Sequence, residues 1–170
     1  CFANPGTSEM HAVAALDTEP GMRAVLTLFE GVATGAADGF ARMADRPAAT
    51  LLHLGPGLGN GLANLHNARR AGTGIVNVVG DHALTHAKYD APLQSDIAGM
   101  AATVSGWVHL TRGPAQVAAD TAAAVAAARA GQVATLILPA DASWSEGAAD
   151  EPAPVPPVPE RGTGNPESLA

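Results

Sequence analysis

Short, uninterrupted apolar runs alternate with longer helix-like stretches along most of the chain, and this alternation narrows the fold more than any other feature. The runs fall at residues 1–4, 23–28, 48–54, 74–80, 107–110 and 134–138. They are strand-length and rich in Leu or β-branched residues. Helical patterns follow at 8–16, 31–43, 58–71, 96–104 and 114–130. Strands with polar and apolar residues in strict alternation would have one wet face; these are predominantly apolar, as in a parallel sheet covered on both sides. The expected fold is therefore α/β: a doubly wound, mainly parallel six-stranded sheet with helices on both faces.

A chain of 170 residues that is 47% hydrophobic can bury a sizeable core in one domain. Its net charge of −7 argues against a nucleic-acid partner. No apolar run reaches the length of a membrane span, and no signal-peptide pattern opens the sequence. A single cysteine, Cys1, excludes an internal disulfide framework and cysteine-based zinc sites. The expectation is a soluble, cytoplasmic protein. The composition changes after Trp144, where Glu151-Pro152-Ala153-Pro154-Val155-Pro156-Pro157 suits an extended linker. Residues 1–145 are read as one domain that begins inside a strand, 146–165 as a Pro-rich linker, and 166–170 as the start of a following domain. In that last segment Asn165-Pro166-Glu167 has the order of a helix start.

Ligands of open parallel sheets bind beyond the carboxyl ends of the strands. Three such ends stand out: Asn4-Pro5-Gly6-Thr7-Ser8-Glu9, Phe29-Glu30-Gly31, and His53-Leu54-Gly55-Pro56-Gly57-Leu58-Gly59-Asn60. If the first three strands are neighbours, Thr7, Glu30 and His53 or Asn60 converge on one crevice. The glycine-rich segment is read as a loop. It is not a dinucleotide fingerprint, because Asn60 or Leu62 occupies the last glycine position, and no Gly-Lys pair offers a Walker loop. Each residue has a structural reading beside the functional one. Glu30 suits the positive end of a helix, Thr7 an N-cap, and His53 a core position. His82 and His86 are four residues apart but sit in an apparent loop, and no metal ligand is assigned.

The ordered set of Asn4-Pro5-Gly6, Glu30 ahead of a helix rich in small residues with Ala37-Asp38-Gly39-Phe40-Ala41-Arg42, Gly55-Pro56-Gly57 with Asn60, Gly80, and Leu138-Pro139-Ala140-Asp141 resembles thiamine diphosphate-dependent enzymes. It is similar to the N-terminal, pyrimidine-binding domain of the acetolactate synthase and benzoylformate decarboxylase group. The resemblance implies that Glu30 bonds the aminopyrimidine ring of the cofactor and promotes its activation. It implies that Pro5, Gly55, Gly57 and Asn60 shape the cofactor pocket, and that Thr7 and His53 face a small 2-oxo acid, with His53 moving protons. It also implies magnesium bound by a separate C-terminal domain, leaves FAD open, and places a second copy of the chain across the site, with Gly31, Gly35, Ala36 and Gly39 able to seat it. Close packing within the chain explains the same glycines.

The sequence departs from acetolactate synthases where they carry Phe-Gln-Glu: Leu93 takes the Gln position, with Gln94 one residue further on as the substrate-side candidate. The resemblance implies a decarboxylase or carboligase of the acetolactate synthase type. An aryl 2-oxo acid decarboxylase is the alternative that His53 and Thr7 favour. A third reading is a non-catalytic binding or oligomerisation domain when the chain stands alone.

Overall fold

The structure, a computed structural model, describes residues 1–158. Strands β1 (Phe2–Asn4), β2 (Val25–Leu26), β3 (Ala48–Leu52), β4 (Ile75–Asp81), β5 (Trp107–Leu110) and β6 (Val133–Pro139) form one sheet. Its order is β2-β1-β3-β4-β6-β5, and every pair is parallel. Helices α1 (Met10–Thr18), α2 (Glu30–Ala44), α3 (Leu54–Ala71), α4 (Ile97–Ala102), α5 (Val117–Arg129) and α6 (Ala140–Trp144) connect and follow the strands. The doubly wound α/β fold expected from the apolar runs is the fold observed.

Side chains alternate across the strands, so β4 feeds two cores. Ile75 and Val79 pack with Leu58 and Leu65 of α3, while Val76 packs with Ala124 and Ala128 of α5. The Ala-rich sequence of α5 lets that helix lie close to the sheet. One row of polar residues crosses the otherwise apolar face under α2 and α3. Thr50 donates to Asn77 Oδ1 at 2.7 Å, and Asn77 Nδ2 donates to Thr135 Oγ1 at 3.0 Å. These three residues are register partners across β3, β4 and β6, and all are fully buried. A one-residue slip would strand their hydrogen-bonding groups in an apolar core, so this row locks the register.

Several expected boundaries change. The second strand shrinks from 23–28 to two residues because its only partner is the short β1. The third ends at Leu52, two residues early, because Leu54 takes a left-handed φ of 52°. The glycine-rich loop is a correction: Gly55-Pro56-Gly57 lies inside α3, which starts at Leu54 rather than residue 58. Proline fits there because first-turn N–H groups have no intrahelical acceptor. Helix α6 was not anticipated. The 166–170 helix start and the end of the linker lie outside the described residues; residues 146–158 carry no helix or strand. Among the described residues no helix is long and apolar enough to cross a membrane.

Because β2 lies on one side of β1 and β3 on the other, the sense in which successive strands are added reverses at the β1–β3 boundary, although all strands stay parallel. Doubly wound sheets open a crevice at such a point, beyond the carboxyl ends.

Candidate active site

The β1–β3 boundary is closed by a hydrogen-bonded pair of a carboxylate and an imidazole. After β1, the turn Thr7–Glu9 brings Glu9 under the sheet end, where it is 1% exposed. Its Oε2 accepts from the Gly6 backbone N–H at 2.7 Å and lies 2.7 Å from Nδ1 of His53, which follows β3. An ionised carboxylate can only accept, so Nδ1 of His53 carries the hydrogen and Nε2 is left for other work. Two glycines make room for this pair. A Cβ at Gly6 would overlap the His53 ring, and one at Gly80 would overlap the Glu9 carboxylate.

Glu30 comes from the other side of β1. It is the first residue of α2, follows β2, and is 9% exposed. Asn60 Nδ2 of α3 donates to its Oε2 at 2.9 Å. Its Oε1 accepts no hydrogen bond from the described residues. Gly57 separates the two acidic sites: a Cβ built there would stand 3.2 Å from Glu30 Oε1 and 3.6 Å from His53 Cβ. Gly57 therefore serves close approach, not a turn.

A cavity of about 350 Å³ opens over the crevice, walled by Thr7, His53, Leu54, His82, Leu93 and Trp144 among others. The Trp144 indole N–H donates to Ser8 O at 3.1 Å, so α6 is pinned against the turn that carries Thr7. Glu30, Pro5, Gly55, Gly57, Asn60 and Gln94 are not among its lining residues. Gln94 keeps a buried Oε1 without a partner, and Leu93 takes the cavity wall beside it. Gly55 lies against Ser95, whose hydroxyl occupies the place of a Cβ. At the end of β4, Asp81 is pushed above the ordinary carboxylate range by burial; its bond from the His82 N–H pulls the other way, and Asp141 adds a smaller upward push.

The structure resolves the glycines of α2. Gly31 and Gly35 face α3 of the same chain, where Asn64 Nδ2 donates to Gly31 O at 2.7 Å and its amide blocks any Cβ at Gly35. Gly39 faces open space. The outer surface nearby is apolar: Leu28, Val32 and Met43 are exposed.

Sequence reasoning missed Glu9. A signal was present: a chain with few charges places an acid three residues after Gly6, the spacing of a capping box.

A family model for the thiamine pyrophosphate enzyme, N-terminal TPP binding domain, matches residues 1–103. The chain belongs to this family. It is 73% identical over 149 residues to a Mycobacterium tuberculosis (strain ATCC 25618 / H37Rv) protein provisionally named acetolactate synthase large subunit IlvX, covering 87% of this chain and 29% of that protein. It is 36% identical over 98 residues to a benzoylformate decarboxylase of Pseudomonas aeruginosa, covering 58% of this chain and 18% of that enzyme. An X-ray structure of a provisionally identified thiamin diphosphate-dependent enzyme from Mycobacterium smegmatis superposes with a TM-score of 0.79 at 29% identity, over 93% of this chain and 30% of that one. A thiamine diphosphate-dependent 4-hydroxybenzoylformate decarboxylase of Rhodococcus jostii RHA1 shares the fold, with a TM-score of 0.79 at 23% identity over 87% of this chain and 28% of that one. The chain spans less than a third of the length of each of these relatives. As a TPP-binding N-terminal domain of acetolactate synthase-like type, it has residues that fit the cofactor: Glu30 offers a carboxylate oxygen with no donor among the described residues, beside a glycine whose Cβ would crowd it.

Proposed function

We propose that this chain supplies the pyrimidine-binding half of the cofactor site in a 2-oxo acid decarboxylase or carboligase of the acetolactate synthase type. The observation that carries the reading is Glu30, nearly buried, held through Oε2 by Asn60 and open at Oε1 beside Gly57. Thiamine diphosphate, when bound, supplies the carbon nucleophile and electron sink that decarboxylation needs. Glu30 holds and returns a proton at Oε1, toward the cofactor's aminopyrimidine nitrogen, and Asn60 fixes the carboxyl plane. Gly57 leaves space beside Oε1, between Glu30 and His53, and Pro5 and Gly55 bound the crevice. Glu9 keeps the hydrogen of His53 on Nδ1, which frees Nε2 to move protons on the substrate side. Thr7 offers a hydroxyl in the same cavity. Magnesium and the diphosphate are assigned to another domain of the enzyme, following the family resemblance. The exposed Leu28, Val32 and Met43 support a second copy of the chain packing beside Glu30.

The test is C2 proton exchange of thiamine diphosphate, followed by NMR in the enzyme that carries this chain. Glu30→Gln should slow it by roughly 10²–10⁴-fold, the range of a lost acid–base group. Exchange at the wild-type rate would overturn the reading.

The bond between His53 and Glu9, in one cavity with Thr7, favours a second reading: an aryl 2-oxo acid decarboxylase. Comparing kcat/KM for pyruvate and benzoylformate, and assaying for a carboligation product, separates the two.

A further inference from the structure

The cavity has a second imidazole wall that the reading above leaves unused. His82 and His86, on the segment after β4, both line it. Their ring centroids are 5.9 Å apart, and His86 is backed by Tyr89 at 5.4 Å, so the His82 ring is braced from behind. Its backbone is braced as well, through the 2.8 Å bond from the His82 N–H to Asp81 Oδ1. Among the described residues no group of three or more His, Cys, Asp or Glu side chains is placed to hold a metal ion.

The two ring nitrogens of His82 differ. Nε2 is buried and has no hydrogen-bond partner among the described residues. Nδ1 bonds no described residue. A buried N–H without an acceptor is more costly than a buried lone pair, so the neutral ring carries its hydrogen on Nδ1. His53 has its Nδ1 committed to Glu9 and its Nε2 free. Two of the three imidazoles in the cavity thus make opposite offers: an acceptor at His53 and a donor at His82. The described lining contains no Lys or Arg, and its Trp144 indole N–H is taken by Ser8 O, so the side-chain donors left for an entering carboxylate are hydroxyls and imidazoles.

We propose that His82 is a substrate-binding residue whose Nδ1–H receives the carboxylate of the 2-oxo acid in the cavity that His53 serves. The proposal rests on the 2-oxo acid reading, and its test separates the two. In the enzyme carrying this chain, with thiamine diphosphate and magnesium, His82→Leu should raise KM for pyruvate and for benzoylformate by roughly 10- to 100-fold, the range of a lost bond to a charged group, while kcat changes much less. His82→Asn, whose amide reaches the place of Nδ1, should recover part of that loss. C2 proton exchange, which needs no substrate, should stay at the wild-type rate in both. An unchanged KM in His82→Leu overturns the proposal, and so does a loss shared equally by KM, kcat and exchange, which marks general distortion. Failure of the 2-oxo acid reading shows separately, as exchange that ignores Glu30→Gln. A readout without turnover completes the test. In cofactor-free protein, benzoylformate should shift the ¹⁵N resonances of the His82 and His53 rings along one saturation curve; a His82 signal that does not move overturns the assignment.

Discussion

At the amino ends of the strands, α2 and α3 stop on left-handed residues, Asp45 and Gly72, with Arg42, Arg69 and Arg70 in their last turns. At the carboxyl ends the chain buries two acids, forces a leucine into left-handed backbone, and leaves polar atoms of Glu9, His82, Gln94 and Asp141 without partners among the described residues. The first end follows local rules: left-handed caps close the helices, and cations meet the negative ends of their dipoles. A cleft of about 200 Å³ opens there too, lined by Arg42, Arg46 and Arg129, but Arg42 is paired with Asp38 at 2.8 Å and Arg46 lies over the Phe40 ring. The second end violates the same rules within a few residues. Strain and unpartnered polar groups persist in a fold when the surrounding structure enforces them, and they collect where chemistry is done.

The comparison breaks most visibly at Glu9. Glu9→Ala should cut kcat/KM for a 2-oxo acid by about 100-fold through misplacement of His53. Glu9→Gln, which can still accept from Nδ1, should recover part of this in the same steady-state assay, and C2 exchange should be spared in both. If exchange falls with kcat/KM, Glu9 acts on the cofactor side instead.

Next come two glycines that differ in what opposes them. A Cβ at Gly74, at the amino end, meets the backbone carbonyl of Ala128, which cannot yield. Gly74→Ala should lower unfolding stability by about 1–3 kcal/mol in urea titration, with activity per folded molecule unchanged. A Cβ at Gly80 meets the flexible Glu9 side chain instead. Gly80→Ala should lose less stability and more activity. The reverse ranking would mean that Glu9 is rigid packing.

Asp45→Gly removes both an unfavourable φ of 49° and a negative charge at the end of α2. It should stabilise by about 0.5–1 kcal/mol in thermal or urea melts. The smallest effect belongs to Asp81. Its folded-state pKa is raised, mainly by burial, so the native state binds the proton more tightly than the unfolded chain. Wild-type stability therefore falls as pH rises from the ordinary carboxylate value through the raised one. Asp81→Asn should remove that slope, giving no gain below about pH 4 and a gain of a few tenths of a kcal/mol at pH 7 after solvent screening. Identical slopes in melts across pH would refute it.

The order of elements and the parallel sheet were legible in the apolar runs, because burial on both faces writes itself directly into composition. Glu30 and Asn60 were legible only as members of an ordered motif set, since a first-turn glutamate is also what a helix dipole favours. Their contact spans thirty residues of sequence, which no local pattern encodes. The segment Gly55-Pro56-Gly57 was misread as a loop because glycine and proline signal turns, whereas here Leu54 makes the bend and the glycines admit Ser95 and Glu30. The glycines of α2 had two equal explanations in sequence; contact with Asn64 and Asn60 decided for Gly31 and Gly35.

By itself the sequence determined a doubly wound sheet, the family, and the three strand ends that carry the polar residues. Periodicity and motif order are local along the chain, so they survive without coordinates. Only the tertiary structure decided that His53 is held by Glu9, that Gly57 stands between His53 and Glu30, and that His82 shares the cavity. Those pairings depend on which strands lie side by side, and the reversal at β1 and β3 brings together residues that the chain keeps far apart.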